Sequence, residues 1–192
     1  SPITCPTCHA MLTCPVFCST CRAPNESALN LDYFQLLNLR PSFAVDEANL
    51  NNAFRAATRV IHPDRFANAD DAAKSTAIRL SALLNEAVRT LKDPLLRAEY
   101  LLKLANGPDA IAVRDVPKNL LVDVMMMREQ LEEARTNGDH QTLSDMRESI
   151  KLRRQQTLDL LAQSADSLAH ATDEAKREFR IQLNAMKYYD HL

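Results

Sequence analysis

Apolar residues recur along most of this chain at the three- and four-residue intervals of helix faces, and nowhere in the strict alternation of half-buried strands. After Asp46, a natural N-cap with Glu47 behind it, Leu50, Phe54, Ala57 and Ile61 share one stripe until Pro63 stops the helix. A short helix over Asp32–Asn38 precedes it. A longer one over about 69–91 follows, with Ile78, Leu80, Leu84, Ala87, Val88 and Leu91 as its apolar face. Pro94 opens a fourth helix to Leu104, turning Leu95, Ala98, Leu101 and Leu102 inward. The polar link from His62 to Asn68 sits at the tip of an antiparallel pair. Beyond Gly107-Pro108 three amphipathic stretches, about 118–136, 139–169 and 173–191, predict a three-helix bundle. Gly138 is placed to end the first of these and Thr172 or Asp173 to cap the last.

Composition agrees. Two glycines in 192 residues leave little material for hairpin turns, so the chain reads as all-α, and no run approaches the roughly 18 apolar residues of a membrane span. We expect a soluble protein with no membrane partner. No secretory or mitochondrial leader pattern is visible after Ser1. The formal charge of -2 supplies no basic field for nucleic acid, and 5% aromatic residues without tryptophan offer few stacking platforms. Acidity concentrates in residues 105–192, which hold 15 carboxylates against 12 Lys and Arg.

Residues 1–24 differ from everything after them. Pro2, Pro6, Pro15 and Pro24 forbid a continuous helix, and all five cysteines fall within the first 21 positions. Cys5-x2-Cys8 and Cys18-x2-Cys21 each offer two thiolates to one tetrahedral ion, so a structural zinc site is expected; a local disulfide or redox pair is the alternative. Cys14 is a competing fifth thiol. His9 and Arg22 stand where a glycine commonly follows a metal knuckle.

Two further constellations carry candidate chemistry. His62-Pro63-Asp64 lies between two helices and presents an imidazole beside a carboxylate, with Arg55, Arg59 and Arg65 as a basic stripe leading to it. Solvated arginines beside a helix-stopping turn would look the same. In the helix from Lys118 to Arg135, Leu120, Val124, Met127, Leu131 and Ala134 account for a core seam. Leu121, Val122, Met125 and Met126 are left over, flanked by Glu129 and Glu133, and read either as a wide core or as a partner surface.

The run Asp32-Tyr33-Phe34, Val60-Ile61-His62-Pro63-Asp64-Arg65-Phe66, Leu84-Asn85-Glu86-Ala87 and Pro94-Leu95-Leu96-Arg97-Ala98-Glu99-Tyr100-Leu101-Leu102 resembles the J-domain of the HscB family of iron-sulfur co-chaperones. The remainder resembles that family's C-terminal domain. The resemblance implies an L-shaped layout: a Cys-rich zinc segment over 1–24, a four-helix J-domain over 29–104 and a three-helix scaffold-binding domain over 112–192. It implies a non-enzymatic activator of an Hsp70 ATPase. His62, Pro63 and Asp64 would be the trigger and Arg55, Arg59 and Arg65 the Hsp70 contacts. Leu121, Val122, Met125, Met126, Glu129, Glu133 and Tyr188 would contact an iron-sulfur scaffold, with Met126 standing where an acidic residue is common. The family works in the bacterial cytoplasm or the mitochondrial matrix. Two other classes are weaker expectations: a general or nucleic-acid-associated zinc J-protein, and an enzyme using His62 and Asp64 as an acid-base pair.

Overall fold

A computed structural model describes residues 4–192, and the described residues form seven α-helices, short 3-10 turns and no strand. The helices are α1 (Tyr33–Leu36), α2 (Glu47–Ile61), α3 (Asp71–Lys92), α4 (Pro94–Leu104), α5 (Leu120–Asn137), α6 (His140–Ala165) and α7 (Asp173–Asp190). Their starts follow the capping chemistry. Asp46 accepts from the Ala48 and Asn49 amides, Asp32 forms a reciprocal capping box with Gln35, and Thr172 accepts from Ala175. Gly138 ends α5 at φ 68°, a left-handed position where an added Cβ would be strained.

The chain divides into two compact units at Asp93/Pro94. In the first, α2 packs along α3, and Phe34, Leu36, Leu50, Ile61, Leu80, Leu84 and Leu91 form the fully buried core. Ile78, expected in that core, is exposed: α3 spends Thr76, Ala77 and Leu80 on its buried face and turns Ile78 to solvent. In the second unit α4 packs against α6 and α7, so the helix expected to close the first group of four contributes its contacts to the C-terminal bundle.

A polar clasp explains part of this pairing. The Arg180 side chain on α7, 1% exposed, makes a two-pronged ion pair with Glu99 on α4, with Nη2 2.7 Å from Oε2. Asn184 Nδ2 donates to the carbonyls of Val113 and Asp115 at 2.9 Å each, fastening the loop before α5 onto α7. α6 ends at Ala165, short of the expected 169, and a 3-10 turn over Leu168–His170 buries Leu168 before α7 begins. No helix is long and apolar enough to cross a membrane among the described residues.

Candidate metal centre and interaction surfaces

Two knuckles of one design build the cysteine cluster. The Cys5 amide donates to the Ala10 carbonyl (2.9 Å) and the His9 amide to the Cys5 carbonyl (2.9 Å); the Cys18 amide donates to Ala23 (3.0 Å) and Arg22 to Cys18 (2.8 Å). Isolated β-bridges Thr4–Met11 and Phe17–Pro24 flank them. Every one of these positions repeats at an offset of thirteen, so 4–11 and 17–24 are copies of one unit, Cys-x-Thr-Cys-(His/Arg)-Ala at its centre. His9 at φ 58° and Arg22 at φ 63° occupy the left-handed turn after each pair, where glycine would sit without strain. Chain geometry, then, and not residue type, closes the knuckle.

The four sulfurs lie within 4.8 Å of one another, with Cys5–Cys21 and Cys8–Cys18 at 3.6 Å. That spacing is far beyond an S–S bond of about 2.05 Å and suits four ligands around one ion. All five cysteines are free thiols, and Cys14 stands outside the set of four. The first thiol of each pair is pulled down by the amides that follow it: Cys8 and Thr7 bring Cys5 to about 6, and Cys21 and Thr20 lower Cys18. At Cys21 the Ala23 amide is outweighed by burial and the neighbouring thiols, which push it up to about 12; Cys8 is raised in the same way despite the Ala10 amide. Four sulfurs this close cannot all carry charge unless a cation joins them.

The second constellation stands at the end of α2. His62 caps the helix with ψ 130°, and Pro63 opens a 3-10 turn over Pro63–Phe66 that buries Phe66 and leaves the polar side chains outside. The His62 side chain is 52% exposed and that of Asp64 89%. His62 Nδ1 accepts from the Asp64 amide at 3.4 Å and lies 3.4 Å from Asp64 Oδ2. Arg55, Arg59 and Arg65 join His62, Phe54 and Thr58 around an open depression. Among the described residues none of the three arginines is paired with a carboxylate, so their charge stays available. The depression beside His62 is open to solvent, unlike the enclosed site in which an acid-base pair would hold a substrate.

The third lies on α5, whose two faces separate cleanly. Leu120, Val124, Met127 and Ala134 are buried and Leu131 half-buried, as the seam predicts. Leu121 and Val122 are exposed, with Met125 at 63% and Met126 at 56%, and Glu129 and Glu133 are exposed on the next turns. The wide-core reading of these apolar residues is thereby excluded. Tyr188 on α7 is half-buried and packs against the core formed by Leu120, Val124, Met127 and Ala185.

Comparison with known proteins places the chain. A family model described as the HSCB C-terminal oligomerisation domain matches residues 116–192. A co-chaperone protein HscB homolog of Shewanella woodyi is 36% identical over 151 residues, spanning 76% of this chain and 83% of that protein. The chain belongs to the HscB co-chaperone family. The HscB homolog of Burkholderia multivorans is 38% identical over 154 residues, covering 79% of this chain and 87% of its own length. Among solved structures, human co-chaperone HscB superposes with a TM-score of 0.78 at 26% identity, covering 98% of this chain and 94% of its own. Chaperone HscB from Vibrio cholerae gives 0.70 at 28% identity over 84% and 92%. Coverage of 98% means that the likeness to the human protein continues into the cysteine segment. As an HscB co-chaperone the chain is not itself a catalyst.

Sequence reasoning missed the thirteen-residue repeat, which comparing the chain with itself at that offset reveals. It also missed the Glu99–Arg180 clasp, whose partners are 81 positions apart with no local signature.

Proposed function

We propose that this HscB co-chaperone binds an iron-sulfur cluster assembly scaffold on its C-terminal bundle, presents it to a dedicated Hsp70, and stimulates that Hsp70's ATPase. The observation that carries the reading is the exposure of two separate surfaces that a protein acting alone would have no reason to leave open: the His62-Pro63-Asp64 tip with its unpaired arginines, and the apolar outer face of α5. At the tip, Pro63 holds the imidazole and carboxylate outside any helical position, while Arg55, Arg59 and Arg65 steer an acidic Hsp70 surface towards them. ATP hydrolysis takes place in the partner. On α5, Leu121, Val122, Met125 and Met126 form the apolar centre of the scaffold contact, Glu129 and Glu133 its polar rim, and Tyr188 its edge.

The residues of the cysteine cluster fit zinc. A tetrahedron with Zn–S bonds of about 2.3 Å has edges near 3.8 Å, a value that lies between the 3.6 Å of Cys5–Cys21 and Cys8–Cys18 and the 4.8 Å within which all four sulfurs fall. Cys5, Cys8, Cys18 and Cys21 would hold the ion, which supplies no reaction chemistry and crosslinks a segment with little core of its own. The work would take place where the partners are, the bacterial cytoplasm or the mitochondrial matrix.

The test is a titration of scaffold protein and Hsp70, each alone and together, with binding and ATPase turnover as readouts. Saturable scaffold binding and stimulation that rises when scaffold is present are expected. Binding of nucleic acid or of unfolded proteins at large, with no preference for scaffold, would instead support a general zinc J-protein.

A further inference from the structure

Ile61 ends α2, and the loop that follows supplies nothing to its carbonyl. Pro63 has no N–H, the Asp64 amide is turned to His62 Nδ1, and the Arg65 amide donates to the His62 carbonyl at 3.0 Å. Ile61 is fully buried, so solvent is a poor substitute. The donor comes from a different helix: Ser81 Oγ on α3 donates to the Ile61 carbonyl at 3.3 Å, across 20 positions of sequence. A serine inside a helix ordinarily bonds back to the carbonyl four residues earlier, here Ala77, and Ser81 instead uses its hydroxyl on the neighbouring helix.

We propose that Ser81 is a positioning residue for the His62-Pro63-Asp64 trigger, an inference that rests on reading that loop as the Hsp70 contact. The loop's own backbone bonds, Arg65 to His62 and Ala67 to Asp64, hold it only to itself, and the buried residues at its ends, Ile61 and Phe66, are apolar. Dispersion contacts resist separation but tolerate rotation, whereas a hydrogen bond is directional and sets the angle at which the chain leaves α2. His62 is the next residue along, so that angle decides where the imidazole stands. Ser81 is only half-exposed and has no part in the arginine stripe, so it acts on the loop's geometry and not on the charge that draws the partner in.

The hydroxyl is isolated by comparing Ser81→Thr with Ser81→Val, side chains of one shape that differ by that group, alongside Ser81→Ala. Hsp70 turnover is measured against co-chaperone concentration. The Thr variant should match the parent. The Val and Ala variants should keep the half-maximal concentration within about twofold while maximal stimulation falls about threefold to tenfold, the range that one lost hydrogen bond corresponds to. The His62 ring proton resonances should shift or broaden in Val and Ala but not in Thr, with helical circular dichroism unchanged throughout. Equal maximal stimulation by the Thr and Val variants, or an unmoved His62 signal in both, would overturn the role of Ser81 while leaving the trigger itself intact. A parent protein that fails to stimulate, or a His62→Gln variant that stimulates as well as the parent, would overturn the underlying reading as well.

Discussion

The division of α5 into a buried and an exposed face yields a sharp contrast between residues that are neighbours in sequence. Replacing Leu121, Met125 and Met126 together by alanine removes three side chains that already keep half or more of their surface in water. Exposed substitutions of this kind move stability by about 0.5 kcal/mol or less each, and alanine is the better helix former. Completing the burial of such a side chain in a complex is worth about half of the 1.5–3 kcal/mol of full burial, so the three together contribute about 2–4 kcal/mol of gross contact energy. Ordering losses trim that figure, leaving a loss of scaffold affinity of roughly 10-fold or more at 1.4 kcal/mol per decade. Met127, at 8% exposure, behaves in the opposite way. Met127→Ala leaves a cavity costing about 2–5 kcal/mol, which for a unit of this size lowers Tm by about 8 °C or more. Tyr188 is left out of the triple variant because it packs against the core, and its loss would mix the two effects. Calorimetry for binding and thermal unfolding for stability decide the matter. A triple variant that melts like Met127→Ala, or one that binds scaffold as tightly as the parent, refutes the assignment of that face.

Four shorter predictions follow from the same geometry. Protein purified under reductant should carry about one zinc per chain, and chelation should expose residues 4–24 to protease with little loss of helical signal; an absence of metal would contradict the site. His9→Gly and Arg22→Gly relieve a left-handed conformation that costs a side chain about 1–2 kcal/mol, so the metal should leave more slowly to a competing chelator. Glu99→Ala leaves Arg180 buried without its partner and should destabilise the C-terminal unit by about 3 kcal/mol, with an unchanged Tm as the contrary result. The amides of Ala112 and Ile111, helped by Arg180, hold the Asp109 carboxyl below its ordinary 3.8. Its contribution is therefore present above that pH and is lost as the pH falls through the lower folded value, so Asp109→Asn should flatten the acid limb of the stability curve and leave its alkaline side unaltered in slope.

Local chemistry made most of the fold legible. Asp46 and Gly138 act at the ends where their side-chain and backbone preferences put them, and the core seam of α5 follows from spacing alone. The exposed tip is also local, because proline determines what its neighbours can do. What the sequence hid depends on partners far apart. The apolar face of α4 suits either helical group, and its packing against α6 and α7, with Arg180 of α7 buried against Glu99, shows where it belongs. Ile78 has the right spacing for the core, yet α3 has more apolar positions than one buried face accommodates. Ser81 shows no pattern at all, since its significance comes from a carbonyl twenty positions away that the loop leaves without a donor.

The adaptor account is tested most directly by Hsp70 ATPase turnover measured with scaffold present, comparing the parent chain with His62→Gln. The account predicts marked stimulation by the parent, its near-complete loss in His62→Gln, and unchanged scaffold affinity in both, because the tip and the α5 face are separate surfaces. Equal stimulation by the two proteins, or loss of scaffold binding along with stimulation, would contradict it.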